Sequence, residues 1–392
     1  MREIVMLAGP NEVDIRVLQG TMRPSIGHMD PRFIAVMDEM CQMLGKIFQT
    51  KAEIIPLVSS GRGGMEAAVV SVLEPGDEAL FVLSGVFGEM FVAIAQRHGV
   101  KASTVNYAYG ELFDLQRIED AIRAGNPKAI FVIHNESSTG TENPAAEIGK
   151  IAREHDLIYV LDTVSSMGGV DIKTDEWGVD VCATGSQKAL ASLPGLAIVS
   201  VNDRAWQVMR ERKTPISSLY FDLWRWMRMW VPKERGGEVM FGYRRQPVTM
   251  GTHLTYALHA AVQMIMEEGL EARFARHAKV ARAVKAATKA LGLKQVAHPE
   301  MESKTITAFY VPEGINGGEL LRTLRGKFGV HFSGGLEALS GKIVRIGHMG
   351  NTAAIEYAVP ALSALELVLS EMGYPVEIGA GLAAFYQEYE KA

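Results

Sequence analysis

The sequence predicts an α/β fold, with a large domain built on a mostly parallel sheet between helices and a smaller α+β domain at the carboxyl end. The first observation behind this prediction is a series of short apolar runs that alternate with helical patterns. Runs that are apolar on both faces are typical of strands in a covered, mostly parallel sheet. Five such runs lie at 79–83, 129–134, 157–162, 179–184 and 196–201.

The second observation is a change of pattern in the last third of the chain. A long helical stretch over 256–292 is broken near Gly269. After it, the pattern predicts a strand at 306–311, a helix at 317–328, short strands near 329–333 and 342–347, and a helix at 353–371. We therefore expect a large domain at residues 1–255, including the N-terminal segment, and a small domain at residues 256–392.

The composition is that of a globular enzyme. Of 392 residues, 48% are apolar and 22% charged, and the formal net charge is −5, which argues against a general nucleic-acid binder. No apolar run is long enough for a membrane span, and the first residues, MREIVMLAGP, lack the apolar stretch of a signal peptide. Cys41 and Cys182 are the only cysteines, so no disulfide framework is expected. We expect a cytoplasmic protein with no membrane or nucleic-acid partner and no metal site.

Residues 220–230, YFDLWRWMRMW, combine three tryptophans with two arginines. Interleaved aromatic and basic side chains occur in surfaces that bind nucleic acids or membranes. Nothing else in the chain is basic enough to support that reading. We expect instead a helix that packs its aromatic face at a subunit contact or over the entrance to a site.

Polar residues follow several of the predicted strands. Asp162 ends one strand, and Lys188 lies in the loop GSQK after another. The loops NESSTG and GRGG follow two more strands, and ligands of open α/β sheets bind at such strand ends. These groups are therefore expected to converge on one crevice.

Each of these features also has an ordinary structural explanation: a turn that starts a helix, a solvated surface lysine and an acid that caps a loop. Each has a chemical explanation as well. The glycine-rich turn at 59–68 leads into a helix, where backbone N–H groups could hold a phosphate. Lys188 lies among small uncharged residues, where the pKa of an amine falls and the amine can attack an aldehyde. Asp162 ends an apolar strand, where an acid is costly without a partner such as a protonated pyridine nitrogen.

Longer motifs identify a family. The segments LDTVSSMGG and TGSQKALASLPGLAI, in which Asp162 and Lys188 stand 26 residues apart, resemble those of class V, fold type I aminotransferases that use pyridoxal 5′-phosphate. The segments HNESSTGTENP, SGVFGEMF and GKIVRIGHMG add independent matches, and the resemblance covers nearly the whole chain. The resemblance is to members of the alanine/serine–glyoxylate kind.

The resemblance implies roles for residues around the cofactor ring. Lys188 would hold the cofactor as an internal aldimine and then shuttle the proton between the substrate Cα and the cofactor carbon. Asp162 would pair with the pyridine nitrogen and keep it protonated. Phe87 would stack on the ring, Val164 would pack on its opposite face, and Ser137 would bond near the ring hydroxyl.

The resemblance also implies a phosphate site and a substrate clamp. Ser60, Gly61, Arg62 and Gln187 would surround the phosphate. Thr249 would reach the phosphate of the neighbouring subunit, because the family builds its site across a homodimer interface. In the small domain, Arg345 would bind the substrate carboxylate in a bidentate pair.

Departures from the family pattern leave the substrate open. Gln246 stands three residues before Thr249, where the family usually has a tyrosine, and an amide there resembles ureidoglycine–glyoxylate aminotransferases. The run RIGHMG resembles pyridoxamine–pyruvate aminotransferase, but Leu336 occupies the position of an additional arginine in that enzyme. We also expect His28 to line the substrate entrance.

The sequence therefore predicts transamination between a small amino acid and a small 2-oxo acid, glyoxylate or pyruvate, by a ping-pong mechanism. Ureidoglycine–glyoxylate and pyridoxamine–pyruvate transamination are the alternatives within the family. An alternative of another class is a lyase or desulfurase, which would need a reactive cysteine late in the chain. The remaining alternative, a non-catalytic protein with this fold, is disfavoured because Lys188, Asp162 and Arg345 occur together.

Overall fold

The computed structural model describes residues 3–391. The strands are β1 Ile4–Val5, β2 Glu53–Val58, β3 Glu78–Leu83, β4 Lys101–Asn106, β5 Ala129–Ile133, β6 Asn135–Glu136, β7 Thr141–Glu142, β8 Ile158–Asp162, β9 Val181–Gly185, β10 Leu196–Val201, β11 Ile306–Tyr310, β12 Val330–His331, β13 Ser333–Gly334 and β14 Ile343–Gly347. The helices are α1 Ile15–Gly20, α2 Pro31–Phe48, α3 Gly61–Val72, α4 Val86–Arg97, α5 Gln116–Ala124, α6 Ala145–Glu154, α7 Asp203–Arg210, α8 Leu223–Met229, α9 Thr252–Glu268, α10 Leu270–Ala290, α11 Gly317–Phe328, α12 Ile355–Glu371 and α13 Ala380–Tyr389.

A seven-stranded sheet in the order β2-β10-β9-β8-β5-β3-β4 forms the centre of the large domain. All five predicted strands are present in it, and the sheet is mostly parallel as expected. Only β10 runs antiparallel to its neighbours β9 and β2. The register places Asp162 beside Ile133 on one side and Ala183 on the other, so the carboxyl ends of β5, β8 and β9 lie together.

Helix α3 lies close to this sheet because its sequence, GRGGMEAAVVSV, is rich in small residues. A Cβ added at Gly64 would lie 3.3 Å from the Cβ of Ala197 and 3.4 Å from that of Ala183, on β10 and β9. The small side chains therefore bring the first turn of α3 down to the carboxyl ends of the strands.

The small domain has its own core around the antiparallel sheet β11-β14-β13 and helices α10 to α13. Strand β1 pairs with β12, so the start of the chain packs with this core. Helix α9 contributes Tyr256 and Ile265 to the first core, and α10 contributes to the second after Gly269, whose φ is +83°. The division into a large domain at 1–255 and a small domain at 256–392 stays a proposal. In the structure the chain leaves the first core and enters the second at Gly269. No helix within residues 3–391 is long and apolar enough to cross a membrane.

The tryptophan-rich segment at residues 220–230 contains a helix, α8, as expected, but two of its tryptophans do not lie at a subunit contact or a site entrance. Trp226 and Trp230 are fully buried in the core of the large domain. The Arg244 guanidinium lies 3.8 Å from the centre of the Trp230 ring, and Arg228 is paired with Glu238. The expectation of a subunit contact or a site entrance was wrong for these two rings, since they pack inward against the chain itself.

Candidate active site

A cavity of about 380 Å³ lies at the carboxyl ends of the central strands, a size suited to a small ligand. It is lined by Gly9, Pro10, Ser60, Gly61, Arg62, Met65, Phe87, Ile133, Asn135, Ser137, Asp162, Val164, Ser165, Gln187 and Lys188. Nine of the thirteen site residues predicted from the sequence are among these, and they come from five separate loops. Their convergence follows from the register of the parallel strands.

Lys188 is 8% exposed and lies in the loop after β9. Its Nζ donates a hydrogen bond to the carbonyl of Ala8, and a Cβ added at Gly9 would lie 2.2 Å from the lysine Cδ. Gly9 also has a φ of +101°, a conformation that side-chain-bearing residues rarely adopt, so both the backbone and the nearby lysine favour glycine here. Burial, helped by the Arg345 charge, lowers the pKa of Lys188 to about 8, so the neutral, nucleophilic form of the amine is far more populated near neutral pH than in an ordinary lysine.

Asp162 is the last residue of β8 and is 4% exposed. Its Oδ1 accepts a hydrogen bond of 2.8 Å from the Val164 N–H. Burial raises the pKa of Asp162 to about 7, and the Val164 N–H partly opposes this shift. A buried carboxyl with a single backbone hydrogen bond is suited to bind a cationic group. Such a group would stabilise the ionised carboxylate and so lower its pKa toward the ordinary range.

The glycine-rich turn forms one wall of the cavity. Ser60 is the N-cap of α3 but its side chain makes no capping bond, and Gly61 begins the helix. A Cβ at Gly61 would lie 2.6 Å from Val164, so glycine is required for this close approach. The first turn of a helix presents N–H groups and a partial positive charge, which favour an anion. Exposed Arg62 adds a full positive charge at the same place.

Arg345 lies on β14 of the small domain and is 6% exposed. Its Nη1 donates to the carbonyl of Ser137 over 2.7 Å, and its Nε and Nη2 donate to the carbonyl of Gly334 over 2.9 and 2.7 Å. Burial lowers its pKa to about 10, against an opposing effect of Glu136. Arg345 does not line the cavity itself. It lies directly behind Ser137, and two of its five N–H groups remain for a ligand.

The N-terminal segment at residues 6–11 is part of the site and was missed by the sequence reasoning. Gly9 and Pro10 line the cavity. The segment bridges both domains, because the Asn11 N–H donates to the Gln187 carbonyl and the Gly347 N–H donates to the Met6 carbonyl. Its contacts are with residues far along the chain, and the only local signal is the dipeptide Gly9-Pro10.

Asn135 was also missed, although the motif around it was recognised. Its Nδ2 donates to the hydroxyl oxygens of Ser165 (2.7 Å) and Thr305 (3.2 Å). The Ser165 hydroxyl donates its own hydrogen bond to the Asn135 carbonyl, and the Thr305 hydroxyl donates to the Ser165 carbonyl. The amide is therefore oriented with its nitrogen toward the hydroxyls, and its Oδ1 has no hydrogen-bond partner among residues 3–391. Gln187 likewise has a buried Oε1 without a partner.

Three predicted residues lie elsewhere. Gln246 is 4% exposed and its Nε2 contacts the Sδ of Met37 at 3.2 Å, so it is buried in the core of its own chain and does not line the cavity. His28 is half-buried and does not line the cavity of its own chain, and its place at the substrate entrance stays a prediction. Thr249 is exposed and outside the cavity of its own chain, where it is accessible to a second subunit.

Neither cysteine is placed for a desulfurase reaction. Cys41 and Cys182 do not line the cavity, and burial raises the pKa of each thiol to about 12. Within residues 3–391, no cluster of His, Cys, Asp or Glu side chains could hold a metal ion.

Comparisons with known proteins agree with this geometry. The family described as aminotransferase class-V matches residues 16–350. The chain belongs to the class V aminotransferase family. This aminotransferase is 34% identical to the (S)-ureidoglycine–glyoxylate transaminase of Bacillus subtilis, over 99% of this chain and 95% of that protein.

Solved structures give the same assignment. The crystal structure of the Bacillus subtilis ureidoglycine–glyoxylate aminotransferase superimposes with a TM-score of 0.93 over 100% of this chain and 99% of that one, at 34% identity. An alanine–glyoxylate aminotransferase from Nostoc gives 0.88 at 32% identity, over 94% and 96% of the two chains. Pyridoxamine–pyruvate aminotransferase from Mesorhizobium loti gives 0.89 at 30% identity, over 99% and 97%. The family and fold predicted from the sequence are thus confirmed.

The side chain of Asp162 supplies a pH-dependent prediction. Because its folded pKa, about 7, lies above the ordinary value of 3.8, the folded aminotransferase without ligand holds this proton more tightly than the unfolded chain. The contribution of Asp162 to the free energy of unfolding therefore falls as pH rises through this range. We expect Asp162→Asn, which cannot ionise, to raise the Tm of the ligand-free protein at pH 8 by more than at pH 5, as measured by scanning calorimetry. Equal shifts at both pH values would contradict a raised pKa.

Proposed function

We propose that this aminotransferase transfers an amino group from a small amino acid to a small 2-oxo acid, glyoxylate or pyruvate, with pyridoxal 5′-phosphate bound in the cavity around Lys188. The observation that carries the proposal is the presence of a buried amine of lowered pKa and a buried carboxyl of raised pKa in one cavity. Relatives of 30% to 34% identity whose names give glyoxylate or pyruvate as a substrate support the choice of acceptor.

The residues of the cavity fit the cofactor part by part. The Lys188 amine suits the aldehyde, and the Asp162 carboxyl suits a protonated pyridine nitrogen. The first turn of α3, with Ser60, Gly61 and Arg62, suits the phosphate, and the unpartnered Oε1 of Gln187 lies in the same cavity wall. Phe87 and Val164 supply the apolar faces between which the ring would lie, and Ser137 supplies a hydroxyl beside it.

The bound cofactor supplies an electron sink that makes the Cα–H bond of an amino acid acidic. Lys188 then acts as the base: its lowered pKa favours the neutral Nζ, which takes the proton from the substrate Cα. The same Nζ returns the proton to the carbon next to the ring. Arg345 holds the substrate carboxylate with its two remaining N–H groups, which fixes the Cα near Lys188.

A ping-pong sequence follows from the use of one set of residues for both half-reactions. The donor leaves as a 2-oxo acid, and the acceptor then binds to the same Arg345 while Lys188 moves the proton in reverse. We further propose a homodimer in the cytoplasm, with Thr249 reaching the partner's phosphate site. Exposed Met240, Phe241 and Tyr243, in the segment before Thr249, support an apolar contact with a second copy.

Two donors outside the simple amino acids remain candidates. The similarity to the Bacillus subtilis enzyme, and Arg62 at the cavity wall, favour (S)-ureidoglycine as a second candidate. Leu336, where pyridoxamine–pyruvate aminotransferase has an arginine, disfavours pyridoxamine. The buried position of Gln246 weakens the ureidoglycine assignment, because its amide contacts Met37 in the core of its own subunit and does not line the cavity of that subunit.

A half-reaction screen tests the proposal. The protein loaded with pyridoxal 5′-phosphate is mixed with alanine, serine, aspartate, (S)-ureidoglycine or pyridoxamine, and the absorbance of the bound cofactor is followed. We expect at least one amino acid to convert the aldehyde form to the amine form, and glyoxylate or pyruvate to restore it. Cysteine is tested separately with an added thiol reductant: formation of alanine and sulfide, with the cofactor left in the aldehyde form and converted by none of the five compounds, would instead assign a desulfurase.

A further inference from the structure

Glu136 is fully buried beside the cavity, and the proposed mechanism gives it no role. It lies on β6, between cavity residues Asn135 and Ser137. Its carboxylate accepts four hydrogen bonds: Oε2 from the N–H groups of Phe87 (3.1 Å) and Gly88 (3.2 Å), and Oε1 from the N–H (3.0 Å) and the hydroxyl (2.6 Å) of Ser138. All four partners are donors, which favours the ionised carboxylate.

The contact between Glu136 and α4 is close because Gly85 stands at the N-cap of that helix. A Cβ at Gly85 would lie 2.6 Å from the Cγ of Glu136, which leaves no space for a larger residue. The first N–H groups of a helix have no partner within it, and here the carboxylate provides one. Ser138 adds a bond from the Val86 N–H at 3.1 Å, so one short loop holds the whole first turn of α4.

This first turn carries Phe87, a half-buried ring that lines the cavity. The direction in which the ring points depends on the backbone of that turn. The charge of Glu136 also acts on the other side of the cavity. It opposes the lowering of the pKa of Arg345 and Lys188 by burial, and it adds to the raised pKa of Asp162. Burial raises the pKa of Glu136 itself, and the four hydrogen bonds oppose that shift.

We propose that Glu136 is a positioning residue, which fixes the ring of Phe87 against the bound cofactor by capping the first turn of α4. It does not touch the reacting atoms and acts through Phe87. This inference rests on the proposed function, because it requires a cofactor ring in the cavity. A glutamine at 136 keeps the shape of the side chain but replaces one acceptor oxygen with an NH₂ group, which would face donors.

The test is a double-mutant cycle on cofactor affinity. The Kd for pyridoxal 5′-phosphate and the visible circular dichroism of the bound cofactor are measured for the wild type, Glu136→Gln, Phe87→Leu and the double variant. We expect Glu136→Gln to raise Kd about 10-fold in the wild-type background and to have little further effect in Phe87→Leu, with the dichroic band changed in the same way. Far-UV spectra confirm that each variant is folded.

Glu366 offers a matched control. It is also a fully buried carboxylate, and it caps the start of α13 by accepting from the N–H groups of Gly379 (2.8 Å) and Leu382 (3.0 Å), in the small domain away from the cavity. We expect Glu366→Gln to lower Tm but to leave the Kd and the dichroic band unchanged.

Two results would overturn the inference. One is a Kd for Glu136→Gln equal to that of the wild type, and the other is an equal effect of the substitution with and without the Phe87 ring. Failure of the wild-type protein to bind pyridoxal 5′-phosphate would overturn the proposed function as well, so the two failures are distinguishable.

Discussion

Replacement of Lys188 by alanine is expected to lower kcat at least about 10⁴-fold, because one side chain both holds the cofactor and moves the proton. The variant should also lose the absorbance band that pyridoxal 5′-phosphate gives when it is bonded to a lysine. Added methylamine should restore part of the activity, since a small amine can occupy the space left by the side chain. Steady-state rates and cofactor spectra measure both effects.

Lys285 provides the control for this substitution. It too is buried with its pKa lowered to about 8 by burial, but it donates to the Ser303 carbonyl and does not line the cavity. We expect Lys285→Met to keep the absorbance band and most of the activity in the fraction that folds. Normal turnover by Lys188→Ala, or loss of the band only in Lys285→Met, would contradict the assignment.

The second large effect is expected at Arg345. Lysine keeps the positive charge but cannot form a two-bond pair with a carboxylate while donating to the carbonyls of Ser137 and Gly334. We expect Arg345→Lys to lower kcat/KM for both donor and acceptor about 100-fold, mainly through KM, as loss of a charged hydrogen-bond pair predicts. The spectrum of the bound cofactor should be nearly unchanged.

The exposed Arg325, on α11 of the same domain, serves as the matched control. Arg325→Lys should leave kcat/KM within about twofold of the wild type, as is usual for surface substitutions. An unchanged KM for the 2-oxo acid in Arg345→Lys would show that another group binds the carboxylate.

Much of the fold could be predicted from the sequence because buried strands have a simple signature. Runs such as 157–162 and 196–201 are short and rich in β-branched residues, which favours covered strands over helices, and the structure has strands there. The direction of β10 could not be predicted, since an apolar run has the same composition whichever way it runs. The tryptophans at 226 and 230 were misplaced for a related reason, because an aromatic face packs equally well in a core or at an interface.

The site could be predicted where its residues occur in recognisable local motifs. Asp162, Lys188 and the turn at 60–62 share that property, and the cavity contains all of them. Gly9 and Asn135 could not be assigned, because their roles depend on contacts with Lys188, Ser165 and Thr305 that no local pattern predicts. For Gln246 a motif position indicated a substrate contact, whereas in the single chain its side chain packs against Met37, a contact that no local pattern predicts.

Chemical mapping of the lysine that holds the cofactor tests the central claim most directly. The protein is incubated with pyridoxal 5′-phosphate and treated with borohydride, which makes the bond between a lysine amine and the cofactor aldehyde permanent. Mass spectrometry of the digested protein then locates the added mass. We predict one stoichiometric modification, at Lys188. Modification at Lys285 or at scattered surface lysines, with Lys188 unmodified, would contradict the account.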